Sequence, residues 1–241
     1  MERVVGLDEA GRGPVLGPLV VGICSLPKAD LRLLEQQGVR DSKELKSARR
    51  AELEHWFRQQ CEQRGWFGTT VSLSAERIDL ALQDQGLNML EVEGFQEAIE
   101  QLPVKQHVSI IADACDVNAE RFSQRIASGL EHWPWEDSSM HSEHKADRNH
   151  LVVAMASILA KEERERAMGT MQERVGFPIG SGYPSDPTTK QALDGLCQQS
   201  EIDADVRWGW ATVERFWQTH RDGDTPKRGQ QRTVQQRLFQ P

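Results

Sequence analysis

The sequence predicts an α/β domain, and three observations carry that expectation. Short Val/Ile/Leu-rich runs of strand length occur at residues 3–8, 19–26 and 107–112. Longer segments with apolar residues at helical spacing lie between and after them. No internal repeat and no interior linker interrupts the 241 residues, a length that suits one large α/β domain. The expected organisation is a folded domain over residues 1–220, ending in a C-terminal helical extension, and a polar, basic, flexible tail over 221–241.

Each element has its own signal. The first two strands, 3–8 and 19–26, are joined through a Gly/Pro turn at 11–18. Residues 47–63 form a helix: Ser47 is the expected N-cap, and Leu53, Trp56, Phe57 and Cys61 recur on one face. Residues 66–73 are a strand, Ser74 opens a short helix, and 87–102 form a longer one. After the buried strand at 107–112, Asn118 caps a helix running to Leu130. The longest helix spans 149–175, apolar and small at first (Val152, Ala156, Ala160), then charged from Lys161 to Arg166. Residues 176–188 are a Gly/Pro/Ser loop, followed by helices at 189–199 and 209–220.

Composition narrows the function classes. Hydrophobic residues make up 38% of the chain, enough for a core, yet no apolar stretch is long enough to span a membrane. A strand begins almost at once, so no signal peptide is visible. Cys24, Cys61, Cys115 and Cys197 are scattered without a C-x-x-C pair, as expected of reduced thiols in a cytoplasmic protein. The net charge of −8 argues against holding nucleic acid by bulk charge. The tail differs: five cations against two anions give it +3, leaving −11 on residues 1–220. A nucleic acid would need a local basic strip and metal ions.

Four carboxylates stand where strands or helices end. Asp8 and Glu9 close the run Val4-Val5-Gly6-Leu7, Asp113 closes Val108-Ser109-Ile110-Ile111-Ala112, and Asp147 lies in His144-Lys145-Ala146-Asp147. Acids gathered into one site repel and raise one another's pKa. A divalent cation relieves that repulsion, and carboxylate oxygens are what Mg²⁺ and Mn²⁺ prefer. Neighbouring strand residues point to opposite faces, so Asp8 and Glu9 reach one ion together only if the strand ends or bulges there. The following Gly11-Arg12-Gly13 turn lacks the spacing of a P-loop or a dinucleotide fingerprint. It suits exposed backbone N–H groups and a guanidinium facing a phosphate or sugar.

Other candidates are ambiguous alone. Asp41-Ser42-Lys43 is a capped loop or a phosphate contact, and Lys145 and Lys161 are equally open. His141, His144 and His150 lack a matching Cys or an H-x-x-x-H spacing, which argues against zinc. Tyr183, the only tyrosine, either packs over a proline turn or offers a stacking platform to a sugar or base.

As an ordered set these segments resemble ribonuclease HII, the type 2 ribonuclease H family. The matching stretches are Gly6-Leu7-Asp8-Glu9-Ala10-Gly11-Arg12-Gly13-Pro14, Asp41-Ser42-Lys43, Ile111-Ala112-Asp113, His144-Lys145-Ala146-Asp147, Ala156-Ser157-Ile158-Leu159-Ala160-Lys161 and Gly182-Tyr183-Pro184-Ser185-Asp186. The Gly-Tyr-Pro-Ser-Asp-Pro form and Arg207-Trp208-Gly209-Trp210 resemble the archaeal and eukaryotic branch. The resemblance implies a ribonuclease H-like fold, a mixed five-stranded sheet flanked by helices. It implies a monomer that hydrolyses the RNA strand of RNA–DNA hybrids and cuts 5′ of single ribonucleotides in duplex DNA, leaving 3′-hydroxyl and 5′-phosphate. It places catalysis and two Mg²⁺ or Mn²⁺ ions on Asp8, Glu9, Asp113 and Asp147. It places substrate on Gly11, Arg12, Gly13, Ser42, Lys43, Lys161 and Tyr183. The stretch Trp133-Pro134-Trp135-Glu136-Asp137 departs from the family's spacing ahead of Asp147. A resolvase or DNase of the same fold would share the acids without needing the Gly-Arg-Gly turn and Tyr183; a non-catalytic nucleic-acid-binding module would lack reason to keep all four acids. Near the C-terminus, Gln235, Leu238 and Phe239 resemble the short Q-x-x-L-F peptide by which bacterial replication and repair proteins dock on the sliding clamp; the fit to the archaeal clamp motif is worse, since Pro241 and not an aromatic stands three positions after Leu238.

Overall fold

The apolar runs of the sequence become the strands of one mixed sheet. The computed structural model describes residues 2–197, 203–221 and 223–228. β1 (Arg3–Ala10) pairs antiparallel with β2 (Leu19–Pro27), and β3 (Phe67–Leu73) lies on the far side of β2. On its other edge β1 pairs parallel with β4 (Val108–Asp113), which pairs parallel with β5 (Ser139–Glu143). The strand order is β3-β2-β1-β4-β5. The helices are α1 (Leu31–Gln36), α2 (Ser47–Arg64), α3 (Ala75–Gln83), α4 (Leu87–Glu100), α5 (Ala119–Ser128), α6 (Ala146–Asn149), α7 (Leu151–Val175), α8 (Pro187–Cys197) and α9 (Ala211–His220).

The described residues form two compact units. The first draws on residues 2–10, 20–72 and 91–165, and the second on 11–19, 73–90, 166–197, 203–221 and 223–228. In the first, the register puts Val4, Gly6 and Asp8 of β1 beside Leu26, Cys24 and Gly22 of β2. Ile111 of β4 sits opposite Gly6, and His141 and Glu143 of β5 sit opposite Ile111 and Asp113. That face carries a core in which Val4, Cys24, Leu26 and Ile111 meet Leu34 of α1, Phe57 of α2 and Val153 of α7. α7 lies so close to the strands that a Cβ on Gly6 would overlap the Val152 carbonyl, and one on Gly22 the Ala156 carbonyl. Val152, Ala156 and Ala160 recur every four residues and form one stripe of the helix. The opposite face, with Val5, Leu7, Ile110 and Ala112, is buried too. There α5 packs on β5, and Phe95 and Phe122 meet edge to face at 5.2 Å.

The second unit has its own core, in which Val15, Leu16, Met171, Ile179, Leu193 and Trp208 pack together. Buried Asp79 of α3 accepts the N–H groups of Trp208 and Gly209 at 3.1 and 2.9 Å and the Arg228 guanidinium at 2.7 Å. Arg228 also donates to the carbonyls of Asp203, Ala204 and Val206.

Several elements differ from the sequence expectation. β5 was not expected, because Ser139-Met140-His141-Ser142-Glu143 has no apolar run; it is an edge strand whose partner, β4, supplies the pairing. α1 was missed because it is only six residues long. The N-cap position of α2 is Lys46, and Ser47 instead donates its hydroxyl to Glu165 at 2.6 Å. The expected helix at 149–175 is broken at its start, where extended His150 separates α6 from α7. The Trp133–Asp137 stretch leads into β5: Trp135 is buried with its indole N–H on the Glu131 carbonyl, and the Glu136 carbonyl accepts from His107 N.

The close approach of α7 predicts opposite effects for two glycine substitutions. Gly22→Ala should lower unfolding stability by about 1–3 kcal/mol or more, since the clash is with backbone. Gly169→Ala, in the same helix with nothing near the added Cβ, should raise it by up to about 1 kcal/mol. Urea unfolding of the two variants measures both signs.

Candidate active site

Regular pairing decides which acids meet. Asp8 and Asp113 lie on the same face of the sheet, toward the C-terminal ends of two adjacent parallel strands. Asp147 reaches them from α6, which follows a left-handed residue at Lys145 (φ 62°). One oxygen from each of Asp8, Asp113 and Asp147 lies within 4.8 Å of the others. Asp8 and Asp147 are buried and Asp113 partly so. Glu9 is not one of the three. β1 continues in register through Ala10, without the strand end or bulge that would bring Glu9 to the same side; its backbone N–H donates to Asp8 Oδ1 at 2.7 Å.

The cluster is electrostatically strained. Burial, then the charge of Asp113, pushes the Asp8 carboxyl up to about 7. Burial also raises Asp113, although the Ala146 N–H donates to it at 3.0 Å. Asp147 Oδ1 is buried with no hydrogen-bond partner. A donor set made only of oxygens, with one buried oxygen unsatisfied, fits a hard divalent ion.

Cations and hydroxyls of the first unit surround the acids. Asp41 Oδ1 caps the turn at Ser42-Lys43-Glu44 by accepting from Lys43 N (2.9 Å), and Arg148 donates to Asp41 Oδ2 (3.1 Å). The turn brings Lys43 Nζ to 3.4 Å from Asp147 Oδ2. Burial works against the Lys43 charge, but Asp147, Asp8 and Asp41 outweigh it and hold the ammonium above its ordinary pKa. Ser42 is buried, 2.8 Å from the Ser157 hydroxyl, and accepts from Lys161. Burial, then the charge of Lys43, lowers Lys161.

The other expected substrate residues meet in the second unit. Gly11 has φ 91°, a conformation that favours glycine. Arg12 donates to Asn88 Oδ1 at 2.8 Å. Tyr183 packs near Gly13: a Cβ there would stand 3.6 Å from its ring. The tyrosine loop is held by Asp186, which accepts from Ser181 N, Ser181 Oγ and Thr188 N, and by the Gly182 carbonyl, which accepts from Val15 N. Gln235, Leu238 and Phe239 lie outside the described residues.

Two residues that build these arrangements were missed as site residues. Ser157 bonds both Asp8 and Ser42; its signal is that it is the only polar residue in Leu151-Val152-Val153-Ala154-Met155-Ala156-Ser157-Ile158-Leu159-Ala160. Arg207 is fully buried and donates to the carbonyls of Gly11 (2.6 Å), Arg12 (3.1 Å) and Gly17 (2.9 Å), stacked over Trp210. Nothing local in the sequence says that this arginine is buried.

A mixed five-stranded sheet with flanking helices and acids at strand ends defines the ribonuclease H-like class of metal-dependent nucleases. The chain belongs to the ribonuclease HII family, whose model, described as Ribonuclease HII, matches residues 5–213. It is 39% identical over 215 residues to the Ribonuclease HII of Thermococcus kodakarensis, covering 89% of each chain. Its structure is similar to that of the ribonuclease H2 from Pyrococcus horikoshii, with TM-score 0.78, 32% identity, and 92% and 100% of the two chains covered. It also matches the Archaeoglobus fulgidus protein solved as a PCNA:RNase HII complex, with TM-score 0.72, 34% identity, and 86% and 94% covered. The chain is thus a ribonuclease H, a hydrolase acting on the RNA of RNA–DNA hybrids, of a divalent-metal-dependent family. Among the described residues no helix is long and apolar enough to cross a membrane.

The strain in the acid cluster predicts a pH-dependent gain from neutralising it. The Asp8 carboxyl holds its proton more tightly folded than unfolded, so stability falls as pH rises from about 4 to about 7 and the loss persists above. Metal-free Asp8→Asn should therefore unfold with about 1–3 kcal/mol more stability than the unsubstituted chain near pH 8. The gain should vanish near pH 4. Added Mg²⁺ should reverse the order at pH 8. Thermal melts with and without chelator check each sign.

Proposed function

We propose that the chain cuts 5′ of a single ribonucleotide embedded in duplex DNA as well as within RNA–DNA hybrids, leaving a 3′-hydroxyl and a 5′-phosphate. The observation carrying this is the buried Asp8–Asp113–Asp147 cluster with an unsatisfied Asp147 oxygen and two lysines beside it. Asp8, Asp113 and Asp147 would hold Mg²⁺ or Mn²⁺, with Glu9 as a fourth ligand when substrate brings a second ion. Bound there, the metal supplies Lewis-acid activation and neutralises charge on the phosphate. In the hydrolysis, water oxygen bonds to phosphorus, the bond from phosphorus to the 3′-oxygen breaks, and that oxygen ends protonated. Lys43 and Lys161 attract the phosphate oxygens, and Ser42 and Ser157 fix Lys161 and Asp8. Gly11 and Gly13 offer backbone groups, and Arg12 its guanidinium, to the ribose 2′-hydroxyl, which DNA lacks. A site built to bond a hydroxyl discriminates strongly against a substrate without it. Tyr183 stacks on the neighbouring sugar. This activity belongs to replication and repair in a reducing cytoplasm, consistent with the four free cysteines.

Cleavage of duplexes with no ribonucleotide, one, or a hybrid tract tests the assignment. A single ribonucleotide should be cut on its 5′ side and all-DNA left intact. Asp8→Asn and Asp113→Asn should each abolish turnover in saturating Mg²⁺, because an amide is a poor ligand for it. Tyr183→Ala should cost about 1–3 kcal/mol in kcat/KM. Efficient cutting of all-DNA would favour a DNase or resolvase instead.

The C-terminal Gln235, Leu238 and Phe239 are proposed to dock in an apolar groove of a sliding clamp, as the Archaeoglobus relative's complex with PCNA suggests. The full chain should bind a clamp, and the Leu238→Ala, Phe239→Ala double variant should lose that binding without losing cleavage. Surface plasmon resonance against a bacterial clamp and a PCNA decides it; equal binding by both forms removes the clamp role.

A further inference from the structure

The edge strand β5 carries a second set of ligand atoms. His141 and Glu143 are two residues apart in that strand, so their side chains leave it on one face. His150 is the extended residue between α6 and α7, and its carbonyl accepts from Val153 N and Ala154 N at 3.0 and 2.9 Å, which fixes its backbone. One donor atom from each of His141, Glu143 and His150 lies within 4.8 Å of the others. His150 Nε2 is 3.1 Å from Glu143 Oε1, and the two imidazole rings stand edge to face with centroids 6.0 Å apart. Asn149 Nδ2 donates to Glu143 Oε1 at 2.9 Å, the kind of outer contact that orients a ligating carboxylate. His144 is elsewhere, with Nδ1 3.3 Å from the Ala114 carbonyl.

We propose that His141, Glu143 and His150 bind one borderline first-row transition ion, of the Zn²⁺ or Co²⁺ class, at a site separate from the three aspartates. Two imidazoles and a carboxylate are a donor set that zinc takes, whereas the all-oxygen set of Asp8, Asp113 and Asp147 suits Mg²⁺ or Mn²⁺. An ion there ties the edge strand to the start of α7. The tie closes over the segment that carries Asp147, three residues before His150. It would hold that turn whether or not substrate is present. The competing account is a surface His–Glu ion pair with a second histidine nearby, which takes up no metal.

Co²⁺ titration of the full chain in excess Mg²⁺ separates the two accounts. The expected result is one equivalent of Co²⁺ with visible absorption bands of a low-coordinate site, displaced by Zn²⁺. Paramagnetically shifted imidazole N–H resonances should appear in the unsubstituted chain, a readout that needs no variant. The His141→Gln, His150→Gln double variant should bind more than about tenfold weaker, with an unchanged far-UV spectrum, while Asp8→Asn, Asp113→Asn should keep the bands. Zn²⁺ should raise the Tm of the unsubstituted chain and not of the histidine variant. Absence of shifted imidazole resonances overturns the site. So do bands that survive loss of both histidines or disappear with the aspartates.

Discussion

The first unit depends on how closely one helix can approach two strands. Gly6 of β1 and Gly22 of β2 leave no room for a Cβ beneath the backbone of α7, and Ala156 and Ala160 keep the facing helix surface flat. This brings backbone against backbone and fixes which α7 side chains overlie the strand ends. Ser157, one residue beyond Ala156, bonds Asp8 and Ser42, and Lys161, one turn further, bonds Ser42. Larger residues at the glycines would lift the helix and every polar contact it carries, because packed interiors pass strain on rather than absorb it.

The electrostatic design opposes folding where it prepares chemistry. Three carboxylates are brought together out of water, and the Asp8 carboxyl rises accordingly. The surrounding cations offset only part of this: Lys43 faces Asp147, Arg148 is engaged by Asp41, and Lys161 is itself depressed by burial and by Lys43. A divalent ion bound there would complete the balance by satisfying Asp147 Oδ1, which has no hydrogen-bond partner among the described residues. Binding such an ion would thereby be linked to stability as well as to turnover.

In the second unit the organising group is a buried cation. Arg207 directs its guanidinium at three carbonyls of the Gly11–Gly17 turn, so a loop rich in glycine is held by hydrogen bonds rather than by its own side chains. The same turn is stitched to the tyrosine loop by Val15 N on Gly182 O, and to the C-terminal segment by Gly17 N on Asp205 O. Removing one partner from such a buried set leaves carbonyls unsatisfied, which is why a conservative exchange at Arg207 would be felt at Gly11.

The sequence by itself determined the α/β class, four strands, most helices and the ordered motifs that mark the family. Those signals are local: apolar runs, helical spacing, Ser74 and Asn118 as caps, acids at element ends. Tertiary structure decided the rest. β5 has no apolar pattern and exists because β4 pairs with it, and the same pairing brings His141 and Glu143 onto one face. Sheet register put Asp8 and Asp113 on one face, and regular pairing through Ala10 left Glu9 outside the cluster, where the sequence had left open a strand end or bulge. The burial of Arg207 and the pairing of Ser42 with Ser157 join residues more than a hundred positions apart. Composition and period report what one segment prefers; burial, register and charge coupling belong to pairs of segments and appear only once the chain has folded.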